Sequence, residues 1–148
     1  MVHSKNPWQS YRKVATQTAS PAQLVLMLYD GAIGFLEKGM AGFALTDPLE
    51  RNLTISNNIL RAQAIIHELN ARLDMRNGLE AAATFRRLYN YFHRRLQEGN
   101  IRKKKEPIEE VIGHLGGLRE SWAEMLRRGT GNDLVTAASQ ADDRLQAA

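Results

Sequence analysis

Few side chains in this 148-residue chain stand at spacings that could do chemistry. A carboxylate-bridged metal pair inside a helical bundle draws a Glu-x-x-His motif from each of two helices, so that both ligands leave one face. The residues three before His67, His93 and His114 are Ala64, Asn90 and Val111, so the motif is absent at each. Glu110 and His114 are one helical turn apart and can share a face, but a single pair of this kind is usually a surface contact. No metal site and no cofactor are expected. Cysteine is absent, which removes disulfides, zinc thiolates and thiol nucleophiles and suits a reducing compartment.

Gly113, Gly116 and Gly117 look like part of a phosphate-binding loop, yet such loops join a strand to a helix and these glycines interrupt a helical pattern. Close approach of a neighbouring helix explains them better, each costing its helix about 1 kcal/mol relative to Ala. The serines and acids form no nucleophile and base arrangement, and the chain is not expected to be an enzyme. The net charge of +4 comes mostly from Arg86, Arg87, Arg94, Arg95, Lys103, Lys104, Lys105, Arg119, Arg127 and Arg128. Cations on helices more often make a solvated face than a phosphate track.

Aromatic side chains remain. Tyr89 and Tyr91 lie about 80° to either side of the core axis of their helix. They either rim the core with their hydroxyls in water or, with Tyr29, line a groove that receives an amphipathic helix from a partner.

The elements that must position these residues are helices. Ser20-Pro21-Ala22-Gln23 combines a capping hydroxyl, a proline at the first helical position and a glutamine that can reach back to the cap. Asp47-Pro48-Leu49-Glu50 repeats the arrangement, Asn77-Gly78-Leu79-Glu80 repeats the cap and acid, and Pro107 with Glu109 and Glu110 marks a fourth start. The spacing predicts helices over about 21–44, 48–75, 79–101 and 107–128. Core seams follow: Ile55, Ile59, Ala62, Ile66, Leu69 and Leu73; Ala81, Phe85, Leu88, Phe92 and Leu96; Ile108, Val111, Leu115, Leu118, Trp122 and Met125. These near-heptad seams with short connections predict an all-α fold, an antiparallel up-and-down four-helix bundle.

The first helix carries two seams, Val25, Leu28, Ala32 and Phe35 beside Leu26, Tyr29, Ile33, Leu36, Met40 and Phe43. One can face the bundle core, and the other then needs a partner. Residues 1–20 form an N-terminal segment in which Trp8, Tyr11 and Val14 could make one amphipathic turn lying on an apolar groove. The bundle is placed at 21–128, and 129–148 is expected to be a loosely docked C-terminal helix with Leu134, Ala138, Ala141 and Leu145 at helical spacing. Asp30 and Glu37 interrupt the best apolar run, and residues 1–14 lack the apolar core of a secretory signal. A cytosolic location is expected.

In order along the chain, Tyr11 and Val14, Ser20-Pro21-Ala22-Gln23-Leu24, Leu28-Tyr29-Asp30-Gly31-Ala32-Ile33, Ile66 with Leu69, Leu73-Asp74, Gly78, Leu88-Tyr89 with Tyr91, Arg95-Leu96, Asn100, Val111 and Leu118-Arg119 with Trp122 resemble the flagellar export chaperone FliS family. The resemblance runs over roughly residues 8–126. It departs at the basic run Arg102 to Lys105, at Gly99 where an alanine is expected, and at Gly116-Gly117. What it implies is a cytosolic chaperone of flagellum biogenesis and type III secretion that binds the disordered C-terminal segment of flagellin. Covering that segment would prevent premature polymerisation and keep the subunit competent for export. A disordered partner loses chain entropy on binding and so needs a large apolar surface, which the doubled seam of the first helix could supply. On this reading Leu26, Tyr29, Ile33, Leu36, Tyr89 and Tyr91 line the groove, and Trp8, Tyr11 and Val14 are a movable cover for it. The flagellar export apparatus is a further candidate partner.

Two other classes compete. A basic nucleic-acid-binding helical domain would use the third helix and the loop 102–105, with affinity that falls steeply with salt. A self-associating structural bundle would bury the extra seam in a homodimer.

Overall fold

The computed structural model describes residues 20–73, 79–128, 139–140 and 142–146. Four long helices, α1 (Pro21–Gly42), α2 (Pro48–Ala71), α3 (Leu79–Arg102) and α4 (Lys105–Arg128), carry the fold. The start of α1 is fixed by a reciprocal cap, in which the Gln23 amide donates to Ser20 Oγ at 3.2 Å and the Ser20 amide donates to Gln23 Oε1 at 3.4 Å. At α2 the Glu50 amide donates to Asp47 Oδ2 at 2.8 Å. Each bond satisfies one backbone donor that a helix start leaves without an intrahelical partner.

The fourth helix begins at Lys105, two residues before the start that the proline suggested. Lys103 sits in the left-handed region at φ 51° and turns the chain, while the Lys104 amide closes α3 by donating to the Gly99 carbonyl at 3.0 Å. Pro107 then falls in the first turn, where its missing N–H is not needed. The glycine at 99 has a steric reason: a Cβ there would meet Ile108 Cγ1 at 2.9 Å and the Lys104 carbonyl oxygen at 3.2 Å. The basic run also acquires a structural role, because Lys103 Nζ donates to the Asn100 carbonyl at 2.6 Å and to Ser56 Oγ at 3.0 Å, pinning this turn to α2. Burial lowers the pKa of that ammonium.

Direction and adjacency can be read from paired residues. Gly39 lies against Asn58 and Gly42 against Thr54 and Ile55, so α1 and α2 run antiparallel. Ser56 bonds Asn100 and Gln63 bonds the His93 carbonyl, which sets α2 antiparallel to α3. Phe92 stacks on His114 while Gly99 meets Ile108, giving the same for α3 and α4. Asp30 pairs with Arg119, and Trp122 Nε1 donates to the Ala22 carbonyl at 2.7 Å, which closes the ring between α4 and α1. The result is an up-and-down four-helix bundle in which each helix packs mainly along two neighbours.

The core follows the predicted seams on α2, α3 and α4, with Ile55, Ile59, Ala62, Ile66, Phe85, Leu88, Phe92, Leu96, Ile108, Val111, Leu115 and Leu118 all buried. Trp122 and Met125 close its end half-buried. The expected close packing at Gly113, Gly116 and Gly117 is not found: no described atom comes within 4 Å of a Cβ built at any of the three. Tight glycines lie instead at Gly42, where a Cβ would meet Thr54 Cγ2 at 3.0 Å, and at Gly99.

Candidate partner-binding surface

The first helix buries Leu24, Leu28, Tyr29, Ala32, Phe35 and Leu36. This stripe cuts across both predicted seams instead of following one of them. The reason is geometric, since α1 packs against α2 on one side and α4 on the other, and two neighbours need a wider apolar face than one. Val25, Met27, Ile33, Met40 and Phe43 lie half-buried along the margins of that stripe, packed against the core.

The six predicted groove residues therefore separate into two groups. Tyr29, Leu36 and Tyr89 are inside the core, at 1%, 0% and 2% exposure. The two tyrosine hydroxyls meet across the bundle at 2.7 Å, one donating to the other, and for Tyr89 this bond corrects the expectation of a hydroxyl at the core rim in water. Desolvation explains their chemistry: burial pushes Tyr29 up to about 12, partly offset by the bond from Tyr89, and pushes Tyr89 well above its ordinary value. Leu26, Ile33 and Tyr91 are half-buried and keep part of their surface in solvent. The N-terminal cover residues Trp8, Tyr11 and Val14 lie outside the described residues.

Tyr91 faces α4 and donates to Glu110 Oε2 at 2.6 Å, while Arg95 Nε donates to Glu110 Oε1 at 2.7 Å. Burial acts to raise the Glu110 carboxyl, but the Tyr91 and Arg95 bonds outweigh it and hold the carboxyl below its usual value. Arg95 also reaches Glu98, and the Arg94 guanidinium lies over the Tyr91 ring. Cations on the other helices are similarly engaged, Arg119 by Asp30 and Glu120, and Arg127 and Arg128 by Glu124. Carboxylates thus hold Arg95, Arg119, Arg127 and Arg128, and cations tied in this way suit phosphate binding less than free ones would.

Open apolar surface lies mainly on α2. Leu49, Leu53 and Leu60 are 68%, 50% and 56% exposed, and on the helix they fall within an arc of about 40°. Their stripe borders the seam with α3 marked by Ser56 and Asn100, and Ile101, 73% exposed, extends the apolar surface onto the outer face of α3. The signal was present in the sequence: three leucines at i, i+4 and i+11 stand apart from the Ile55, Ile59, Ala62 and Ile66 seam and have no role in it. The seam below them is polar and incompletely satisfied. The rings of His67 and His93 are 6.5 Å apart, and His93 Nε2 and Asn70 Oδ1 are buried without a hydrogen-bond partner among the described residues.

Among the described residues no group of three or more His, Cys, Asp or Glu could hold a metal, and no helix is long and apolar enough to cross a membrane. What the geometry offers is apolar area on a rigid, capped scaffold.

The family model described as flagellar protein FliS matches residues 4–129. The flagellar secretion chaperone FliS of Bacillus subtilis is 35% identical over 124 residues, covering 83% of this chain and 88% of that protein. The Salmonella typhimurium protein of the same name is 35% identical over 111 residues, covering 75% and 80%, and that of Escherichia coli is 28% identical over 122 residues, covering 80% and 88%. With a match over most of its length and a bundle whose outer face carries unpaired leucines, the chain belongs to the FliS family of flagellar secretion chaperones.

Proposed function

We propose that this chaperone works in the cytosol on flagellin, holding its disordered C-terminal segment so that the subunit neither polymerises prematurely nor loses competence for export. The observation that carries the reading is the exposed row Leu49, Leu53 and Leu60 on α2, with Ile101 beside it. An amphipathic segment that folds on binding must recover its ordering entropy from buried apolar area, and a continuous stripe on a preformed helix supplies it. Leu26, Ile33 and Tyr91 offer further half-buried contacts, while Tyr29, Leu36 and Tyr89 support the surface from beneath. Trp8, Tyr11 and Val14 remain the proposed cover of the apolar surface when no partner is present.

Calorimetry with a peptide of the flagellin C-terminal segment tests the proposal. Binding should be tolerant of salt, because the contact is apolar, whereas binding to nucleic acid would weaken steeply. Leu53→Asp with Leu60→Asp should lower affinity at least tenfold while circular dichroism and the thermal midpoint stay near wild type, since both side chains are exposed. Absence of binding at micromolar concentration would overturn the reading. If binding survives those two changes but is lost in Ile33→Asp, the margin of α1 is the contact instead of α2.

A further inference from the structure

The face between α3 and α4 is already occupied by the chain itself. Asp142, in the C-terminal helical residues 142–146, is only 8% exposed and accepts from Arg87 Nη2 at 2.9 Å and Arg87 Nε at 3.2 Å. The guanidinium is held in place from the other side, because Arg87 Nη2 also donates to Thr84 Oγ1 at 3.2 Å. One turn after Asp142, Leu145 packs against the apolar core cluster. The contact is therefore an acid followed three residues later by a leucine, set on a helix and read by an arginine and an apolar floor.

Two features suit this face to a larger helix than the one now on it. A cavity of about 500 Å³ opens beside Leu145, walled by Arg87, Asn90, Tyr91 and Arg94, so the face has room and positive charge that the short segment does not use. On the other flank Gly113 and Gly117 line a smaller cavity with Gln140 and Arg144, and no described atom comes within 4 Å of a Cβ at either glycine. An α4 surface shaved flat over a full turn lets a helix backbone come close, which no contact among the described residues exploits. Among the described residues the segment now seated contributes one leucine to the core and one ion pair.

We propose that the α3/α4 face is a docking surface for an amphipathic partner helix bearing an Asp or Glu and, three residues on, a leucine, and that the helical residues 142–146 are an in-cis mimic of it that must be displaced. This site is separate from the α2 leucine row and stands whether or not flagellin binds there. Arg87 is the recognition residue, Arg94 and Tyr91 line the part of the groove that only the partner fills, and Asp142 and Leu145 form the latch. A cover closed about nine-tenths of the time lowers the apparent affinity of a competitor about tenfold.

The test uses the full chain and, as probe, a fluorescein-labelled peptide with the sequence of residues 137–148. Opening the latch with Asp142→Lys and Leu145→Asp should tighten peptide binding about tenfold over wild type. Adding Arg87→Glu to the opened chain should remove that binding. Exchanging the charges as Arg87→Asp with Asp142→Arg should restore closure, read as return of hydrogen-exchange protection in α3 to the wild-type level, which a misfolded variant would not give. Leu53→Asp with Leu60→Asp in the opened chain should leave peptide binding unchanged. The proposal is overturned if the opened chain binds the peptide no more tightly than wild type, if Arg87→Glu has no effect, or if the α2 changes abolish binding and so move the peptide to the other face.

Discussion

Removing one hydroxyl of the Tyr29 and Tyr89 pair should destabilise the bundle more than removing both. The hydroxyls are 2.7 Å apart, and the residues that carry them are 1% and 2% exposed. In Tyr29→Phe the Tyr89 hydroxyl loses its partner but stays buried, so the variant loses a net bond of about 1 kcal/mol and is left with an unsatisfied buried polar group at a further 1 to 3 kcal/mol. The same holds for Tyr89→Phe. In the double variant both polar groups are gone and the rings still fill their places, because phenylalanine differs from tyrosine only by the oxygen. Each single change is thus expected at about 2 to 4 kcal/mol and the double at about 1 kcal/mol or less, a coupling of about 3 kcal/mol or more. Urea unfolding followed by circular dichroism measures all three, and an m-value equal to wild type confirms that the comparison is between like states. Additive losses would refute the reasoning, since they would mean that each hydroxyl finds another partner when its neighbour is removed.

The raised tyrosine pKa values also predict the alkaline limit. Unfolded tyrosine ionises near 10, whereas Tyr29 is pushed up to about 12 in the fold and Tyr89 is raised too, so the stabilisation is fully present below pH about 10 and falls as pH rises toward 12; a pH series of urea midpoints checks it, and the double phenylalanine variant should lose this dependence. His93 works at the other end: burial and the neighbouring His67 lower its pKa, so its contribution is present above pH about 6.5 and is lost as pH falls through the folded value, and His93→Gln should flatten the midpoint against pH between about 5 and 7. The glycines divide by contact. Gly99→Ala should cost about 1 to 3 kcal/mol, because its Cβ would press on Ile108 and the Lys104 carbonyl, while Gly113→Ala or Gly116→Ala should raise stability by about 0.5 to 1 kcal/mol in thermal unfolding.

The helices were legible because their signals are local. Ser20, Asp47 and the N1 prolines act within one turn, and the seams of α2, α3 and α4 repeat at a spacing that only one face can satisfy. What the spacing of α1 does not determine is which of its apolar residues turn inward, for that depends on where α4 lies. Val25 and Ile33 look as apolar as Leu28 and Tyr29, and the choice among them is made by Trp122 and Arg119 reaching back to Ala22 and Asp30 nearly a hundred residues earlier. The turn before α4 was misplaced for a similar reason. Pro107 is a strong local signal, but the left-handed Lys103, stabilised by contacts with Asn100 and Ser56, ends the previous helix and starts the next one early. Of the open surface, Leu49, Leu53 and Leu60 were visible as residues left over from a completed seam, and the docking of Asp142 onto Arg87 was not, because a single acid and a single arginine 55 positions apart carry no pattern.

The four sides of the bundle are in different states, and this constrains how it can hold an extended chain. The α1/α4 side is fastened by the Asp30 and Arg119 pair and the Trp122 bond, and the α1/α2 side is packed tightly at Gly42. The α2 outer face presents Leu49, Leu53 and Leu60 exposed, while the α3/α4 side is occupied by a short piece of the chain itself. A segment that engaged both would have to run around α3, across the outer surface that carries Ile101, from a site that is open to one that must first be vacated. Binding would then proceed in order, with the α2 contact raising the local concentration of the remainder of the partner before the Arg87 latch is contested. On that order, opening the latch should speed the second phase of association and leave the first unchanged, whereas the α2 changes should abolish both.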